Sequence, residues 1–442
     1  MSAPQPREPR VLEFFSGVGG NSLGLRLALL SESRHVAAHV VASVEICAHA
    51  QLTHAANVNA GPPTAILGPS DGAAAVPLAE PRAACSNLNK GIETLSPKAL
   101  DKFGADVWLM SPPCQPFTRQ GKQSQGADAR CAALAHITHV LLPQVKRTPR
   151  LVYVENVQGF EGSAARDSLV TALQSVGLTR IVEHLWNPAG HLAASLQAKD
   201  ASAATEPLTT WPNSRLRYYM VATAGSVTTR TVAQDEAPPV PAFAASPVRP
   251  LTPAGLVRHL PGLQRTSADG SVCVGDVIGA WLEAASAIPW RVPVDAAVPA
   301  DLLIPARVLC KTGRLFDIVR MSANRTNCFT KNYGRKVEGA GSILVPDEQA
   351  ARLEGAFAAH DPAVCAAAGS GEGDVCRCTL RSLGLRYFDP YEVAALLGFP
   401  PDFRFPPSLT QRQRWALMGN SVNPLAVSQV LQPFVAVMAP TA

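Results

Sequence analysis

The sequence predicts an α/β protein with helices on both faces of one sheet, joined to a smaller and irregular second domain. Three observations predict it. The apolar run from Arg10 to Phe15 leads directly into Phe15-Ser-Gly-Val-Gly-Gly, and Leu23, Leu27 and Leu30 then recur at helical spacing, so strand, glycine turn and helix follow one another. A second strand, His39 to Val44, ends in Glu45, where nucleotide-binding α/β folds place an acid against ribose hydroxyls. Short apolar runs alternate with helical patterns as far as residue 230, after which the alternation is lost and prolines become frequent. The arrangement is Rossmann-like, and 442 residues suffice for one large domain and a smaller one. Residues 1–230 and 386–442 are expected to form the large domain and 231–385 the small one. Stretches 61–84, 188–212 and 355–377, rich in small residues and lacking apolar periodicity, are expected as surface insertions.

Composition excludes several classes. The ten cysteines are scattered, without the density of a secreted disulfide scaffold, which fits a reducing compartment. The N-terminal Met-Ser-Ala-Pro-Gln-Pro-Arg has no apolar stretch of a signal or anchor. After Trp415 the chain is long and uncharged, but Asn420, Asn423, Gln429, Gln432 and Pro433 interrupt it, so it is expected to be a buried terminal helix and no membrane partner is expected. The expected location is the cytoplasm, with the nucleus as the alternative. A net charge of +5 permits a polyanionic partner without requiring one.

Candidate site residues fall at strand ends. The first group is the glycine turn itself, Phe15, Ser16, Gly17, Val18, Gly19 and Gly20, although such turns also occur without ligands. Glu45 and Ile46 form the second group, the bland alternative for Glu45 being an ordinary helix-start charge. Ile92 and Glu93 lie in the segment Asn89 to Thr94. The strand Val107 to Met110 is stopped by Ser111-Pro112-Pro113, because proline lacks an N–H and biases its predecessor towards extended geometry. Cys114 is thereby held at the lip of the sheet, beside Thr118, Arg119 and Lys122. It is either a small core hydrophobe or a partly ionised nucleophile.

A helix is expected from Asp128 to Leu142, with His136 and His139 as a helix-face pair rather than a metal site. The strand Leu151 to Val154 terminates in Glu155-Asn156-Val157. Arg215 and Arg217 enter the strand Tyr219 to Thr223, and alternation puts both guanidiniums on one face. A basic, aromatic stretch follows in the small domain: Cys328, Phe329, Thr330, Lys331, Tyr333, Arg335 and Lys336. His360, Cys365, Cys376 and Cys378 match no common zinc spacing and read as free groups on a loop. Pro390 to Leu397 is expected as a short amphipathic helix, and Asn420, Ser421 and Val422 complete the candidates.

Pro112-Pro-Cys-Gln-Pro-Phe117 resembles the nucleophile motif of the cytosine-5 methyltransferases, and the longer form from Ser111 to Arg119 resembles the branch that methylates tRNA. Glu155-Asn-Val157, Arg215-Leu-Arg217, Cys328-Phe-Thr330 and Trp415-Ala-Leu-Met-Gly-Asn-Ser-Val422 are similar to further motifs of that family, in its order along the chain. The resemblance implies a methyltransferase using S-adenosylmethionine, with Phe15 to Gly20, Glu45, Ile46, Ile92, Glu93, Pro112 and Asn420 to Val422 around the cofactor. It implies that Cys114 adds to carbon-6 of cytosine, that Glu155 serves N3 and the exocyclic amine, and that Arg215 and Arg217 hold the base carbonyl and the nucleophile loop. Residues 231–385 would recognise the target. The implied product is 5-methylcytosine at position 38 of tRNA-Asp. Arg119, Lys122 and the stretch Cys328 to Lys336 would contact RNA, with Tyr333 as a stacking face for an unstacked base. A DNA cytosine-5 methyltransferase is the nearest alternative, and a non-catalytic nucleic-acid-binding protein the third.

Overall fold

The computed structural model describes residues 8–31, 38–58, 85–113, 132–188, 213–225, 229–231, 264–266, 272–274, 298–321, 323, 325–360, 379–400 and 402–438. Cys114, Arg119, Lys122 and most of the three expected insertions lie outside them.

Eight strands form the main sheet: β1 (Arg10–Phe14), β2 (His39–Val44), β3 (Ser86–Leu88), β4 (Val107–Met110), β5 (Leu151–Val157), β6 (Arg180–Trp186), β7 (Arg217–Thr223) and β8 (Thr229–Thr231). Their spatial order is β3-β2-β1-β4-β5-β7-β6-β8, and β7 alone runs antiparallel to its neighbours. The order reverses between β1 and β4, which is where doubly wound sheets open a ligand crevice beyond the carboxyl ends of the strands. Near-continuous burial of β1, β4 and β5 is what strands covered on both faces require.

Alternation divides the core. Leu12, Phe14, Trp108, Met110, Val152 and Val154 face one layer, with Ile137, Phe160, Leu169 and Leu173. Val11, Val107, Leu109, Leu151 and Tyr153 face the other, with Leu25, Leu29, Val427 and Val430. On that second side α1 (Gly20–Ser31) crosses the helix Pro424–Leu431 so closely that a Cβ on Gly24 would lie 2.5 Å from Val427.

Outside the main sheet, β9 (Gln264–Thr266) and β10 (Val272–Val274) form an antiparallel pair, and β11 (Asp317–Arg320) and β12 (Ser342–Val345) a parallel one. A third core cluster packs the β11–β12 pair against Phe329, Tyr333, Tyr387, Phe388 and Trp415, and reaches Val18 and Leu23 of the glycine-loop region. Residues on both sides of position 386 share this cluster; Arg386 itself bridges Leu303 and Leu344. The segment expected as an amphipathic helix, Pro390 to Leu397, forms the helix Pro390–Leu396 and is instead buried almost all round, because Arg386 pairs with Glu392 at 2.7 Å and so allows that carboxylate inside.

Other elements differ in extent from expectation. Glu155, Asn156 and Val157 lie within β5 rather than after it, since the antiparallel register with β7 prolongs pairing to Val157. The expected helix to Leu142 continues to Gln144 through a wide turn at Ile137–Leu141, just before Pro143 removes a helical N–H. His136 in that helix bonds the Leu95 carbonyl at 2.8 Å, a structural contact. Gln411–Met438 is the one stretch among the described residues long and apolar enough to cross a membrane, and 78% of its most apolar window is buried inside the fold. It bends at Ser421–Asn423, where Asn423 caps the second helix through the Ala426 amide.

Candidate functional site

The crevice at the switch point is a cavity of about 670 Å3. Each wall comes from a strand end. Phe15 leaves β1 with φ of +51°, a left-handed conformation rare for a bulky side chain, and Gly17 repeats it. This turn brings Ser16, Gly17, Val18 and Gly20 to the cavity, where Gly20 has no room for a side chain: its Cβ would lie 2.6 Å from Val422. Gly19 does not line the cavity. Its φ is +93°, and a Cβ there would meet Val58 and His54 on the opposite side of the loop, so its role is to let the loop lie on α2 (Ala48–Val58).

Under this loop lies a polar cluster that sequence reading missed. Glu13, wholly buried in β1, accepts from the Ser22 hydroxyl at 2.5 Å and faces His54 Nε2 at 3.0 Å. An apolar strand with one internal acid was the available signal, because a carboxylate tolerates such a place only when partnered.

Glu45 directly follows β2, and its carboxylate accepts from the Gly17 amide at 3.0 Å and the Cys47 amide at 2.9 Å. It therefore ties the glycine loop to the next strand while lining the cavity. Asn89 holds the backbone around it, donating to the carbonyls of Glu45 and Ile46 at 2.8 and 3.0 Å. Ile46, 76% exposed, lines the same end with Ile92 and Glu93, an apolar and acidic pairing suited to a purine nucleoside. Pro112, Asn420, Ser421 and Val422 complete the wall. Asn21, another residue not anticipated, lines it as well and donates to the Ser111 hydroxyl at 3.1 Å, linking the glycine loop to the approach to Cys114. Its position directly after the glycines was the only hint. Among the described residues the buried Ser16 hydroxyl and Asn21 side-chain carbonyl oxygen have no protein partner, so this wall keeps polar atoms available to a ligand.

The far end of the cavity is charged. Because β7 is antiparallel, Arg217 pairs with Val157 at the same sheet edge as Glu155, and Arg217 Nε lies 3.3 Å from Glu155 Oε1. Arg215 precedes the strand and is only 4% exposed. It donates to Cys328 Sγ at 3.2 Å, to the Phe329 carbonyl at 3.3 Å and to the Ser421 carbonyl. Burial and the neighbouring Arg217 lower the affinity of Arg215 for its proton, an effect that Cys328 and Glu155 oppose. Burial disfavours a charged Cys328, but the two guanidiniums outweigh it and hold the thiol below its usual range. Asn156 donates to the Pro112 carbonyl at 3.4 Å, joining the end of β5 to the segment that leads to Cys114.

Of the basic stretch, Lys331 lines the cavity and is exposed, as are Arg335 and Lys336. Tyr333 offers no stacking face. It is 2% exposed, its hydroxyl donates to the Ser342 carbonyl at 2.7 Å and accepts from the Phe388 amide, and its ring packs edge-on against Phe329 and Trp415. Phe329 is fully buried beside it, and Thr330 is half-buried. An aromatic residue between two cations looks like a surface residue in sequence, but here it is the core that shapes the turn.

Residues 83–178 match the model of the C-5 cytosine-specific DNA methylase family. The human tRNA (cytosine(38)-C(5))-methyltransferase is 30% identical over 446 aligned residues, which cover 96% of this chain and 98% of that protein. A Dictyostelium discoideum protein named DNA (cytosine-5)-methyltransferase is 28% identical over 96% of this chain and 94% of its own length. Among solved structures, the S. pombe Dnmt2 methyltransferase superposes with a TM-score of 0.61 at 24% identity, covering 97% of this chain and 100% of that one, and so shares the fold.

Proposed function

Since the chain belongs to the tRNA (cytosine(38)-C(5))-methyltransferase family and is a cytosine-5 methyltransferase, we propose that it forms 5-methylcytosine at position 38 of tRNA-Asp by covalent catalysis through Cys114. The observation that carries this reading is the convergence of Glu155, Arg215 and Arg217 at the end of a glycine-walled cavity, beside the segment that leads into Cys114.

The methyl donor implied by the family is S-adenosylmethionine. The cavity suits it in volume, in its acid and apolar nucleoside end, and in the unpartnered Ser16 and Asn21 atoms. Glu45, Ile46, Ile92 and Glu93 would hold the nucleoside, and Gly17, Gly20 and Asn420 to Val422 the remainder. When bound, it supplies an electrophilic methyl group. Cytosine carbon-5 is too weak a nucleophile to accept that group unaided, and addition of the Cys114 thiolate to carbon-6 makes it enamine-like. Charge arriving at N3 is met by a proton from Glu155, whose carboxylate also accepts from the exocyclic amine and so favours cytosine over uracil. Arg217 orients Glu155, and Arg215 braces the wall by gripping Ser421. Loss of the carbon-5 proton and expulsion of Cys114 complete the turnover.

The target base must leave its stack to enter, which costs least in a single-stranded loop. Exposed Lys331, Arg335 and Lys336 support tRNA as the partner, as does the named substrate of the human relative. The Dictyostelium relative keeps DNA as a second reading. Bisulfite sequencing of tRNA and of genomic DNA after incubation with wild-type and Cys114→Ala protein tests both. Conversion-resistant cytosine 38 in tRNA-Asp, absent with the variant, is expected. Methylation of duplex DNA faster than tRNA at matched salt would overturn the tRNA reading, and wild-type activity in the variant would overturn the covalent one.

A further inference from the structure

Taking the S-adenosylmethionine-dependent reading as its premise, we propose that the side-chain amide of Asn21, held in place by Ser111, is the specificity-determining group that reads the α-ammonium at the amino-acid end of the methyl donor.

The cavity end lined by Glu45, Ile46, Ile92 and Glu93 suits a nucleoside, a part that every adenosine compound carries. Discrimination must therefore come from groups that meet the zwitterion attached through sulfur. Asn21 is the second residue of α1, and the start of a helix favours negative charge, which suits the carboxylate of that zwitterion. The ammonium sits on the same carbon and calls for an acceptor. Asn21 is 2% exposed, its Nδ2 donates to Ser111 Oγ at 3.1 Å, and its Oδ1 is without a protein partner among the described residues. A buried amide oxygen with no donor is costly, and a ligand N–H arriving from the cavity removes that cost. The unpartnered Ser16 hydroxyl on the same wall can donate or accept, so it does not choose between the two charges. Glu45 is already engaged by the Gly17 and Cys47 amides, and Glu155 faces Arg217.

Ser111 supplies the orientation. It directly follows β4, and by taking Nδ2 it leaves the oxygen as the atom that the amide offers. It also stands three residues before Cys114 in the chain. One side chain thus ties the turn that receives the donor to the strand end that leads to the nucleophile, and an error in either is felt by the other. Leucine has nearly the volume of asparagine and neither polar atom, so Asn21→Leu removes the chemistry while filling the space.

Calorimetry on the full chain with three ligands separates this role from a structural one: S-adenosylhomocysteine, its analogue lacking only the amino group, and 5′-methylthioadenosine, which lacks the whole amino-acid end. Wild type is expected to prefer S-adenosylhomocysteine to the deaminated analogue by about 10–100-fold, the range that a hydrogen bond to a charged group corresponds to. In Asn21→Leu that preference should shrink by roughly tenfold, with 5′-methylthioadenosine bound as in wild type. Asn21→Asp, which keeps the acceptor and drops the donor, should retain the preference, and Ser111→Ala should lose part of it. Equal weakening of all three ligands by Asn21→Leu would make Asn21 a structural residue and overturn the proposal. Selective loss of S-adenosylhomocysteine and its deaminated analogue in Asn21→Asp would show that the amide offers Nδ2 to the carboxylate, and would overturn it as well. Should Asn21→Leu fail to fold, the wild-type preference and Ser111→Ala decide: a wild type that binds the two amino-acid ligands alike refutes the role while leaving the methyltransferase reading intact. A wild type that binds none of the three would sink that reading, and the proposal with it.

Discussion

Gly419→Ala is the most severe single-methyl test of how the site is assembled. Gly419 lies near the end of the helix Gln411–Asn420, and a Cβ there would sit 2.1 Å from the Thr330 carbonyl carbon, 2.2 Å from the Lys331 amide nitrogen and 2.3 Å from the Thr330 carbonyl oxygen. Ordinary contact begins at 3.4 Å, so a backbone held by the Thr330 amide to the Ala340 carbonyl must move by more than an ångström. Overpacking of this kind costs roughly 1–3 kcal/mol, and a clash with backbone belongs at the upper end. Alanine returns up to about 1 kcal/mol of helix propensity, less near a helix end, which leaves a net loss of about 2 kcal/mol. Urea unfolding reads the stability and methylation the geometry, since Lys331 lines the cavity and Cys328 meets Arg215 on the displaced segment. Gly355→Ala is the control, because a Cβ there meets nothing within 4 Å. Wild-type stability and wild-type activity together in Gly419→Ala would show that this helix does not press on residues 330–331.

Glu45→Ala should weaken S-adenosylmethionine binding by about 1.5–3 kcal/mol, because it removes a charge-assisted hydrogen bond to the glycine loop; unchanged affinity by calorimetry would remove Glu45 from the site. Replacing Lys331, Arg335 and Lys336 together with alanine should flatten the salt dependence of tRNA binding, by roughly one released counterion for each phosphate no longer neutralised, and leave cofactor affinity alone. A wild-type slope would place the RNA elsewhere. A thiol held below its usual range gives stability that is present above the unfolded cysteine value and lost as pH falls through the lower folded value. Wild type should therefore gain stability over Cys328→Ser as pH rises through that window, and parallel melting curves would contradict it.

The sequence made strands and motifs legible where chemistry is local. His39 to Val44 and Val107 to Met110 stand as expected, because a short apolar run bounded by breakers admits few alternatives. The cavity residues Gly17, Glu45, Ile92 and Ser421 were readable for the same reason, each lying at a strand or helix end. Burial that depends on distant partners was not. Tyr333 and Glu392 are a phenol and a carboxylate in polar surroundings along the chain, yet both are inside, the first through Ser342 and Phe388 and the second through Arg386. Glu13 is the converse, an acid in an apolar strand whose partners, Ser22 and His54, come from two helices.

Arg215 explains why motifs so far apart in sequence form one site. Its backbone amide is fixed by Asn187 at 3.0 Å, and Asn213, two residues earlier, reaches the Thr326 hydroxyl and the Asn327 carbonyl. The guanidinium then grips the Ser421 carbonyl, on the wall shared with the glycine loop, and Cys328, on the turn that carries the exposed cations. Only a planar fork with several donors reaches all these acceptors at once; a lysine in its place would satisfy fewer and leave the rest buried and unpaired. The reversal of β7 is the topological counterpart. Were that strand parallel, its first residues would emerge at the opposite sheet edge, and neither Arg217 nor Arg215 would meet Glu155. The one antiparallel strand thus brings the cavity wall, the Glu155 carboxylate and the basic turn to the same edge.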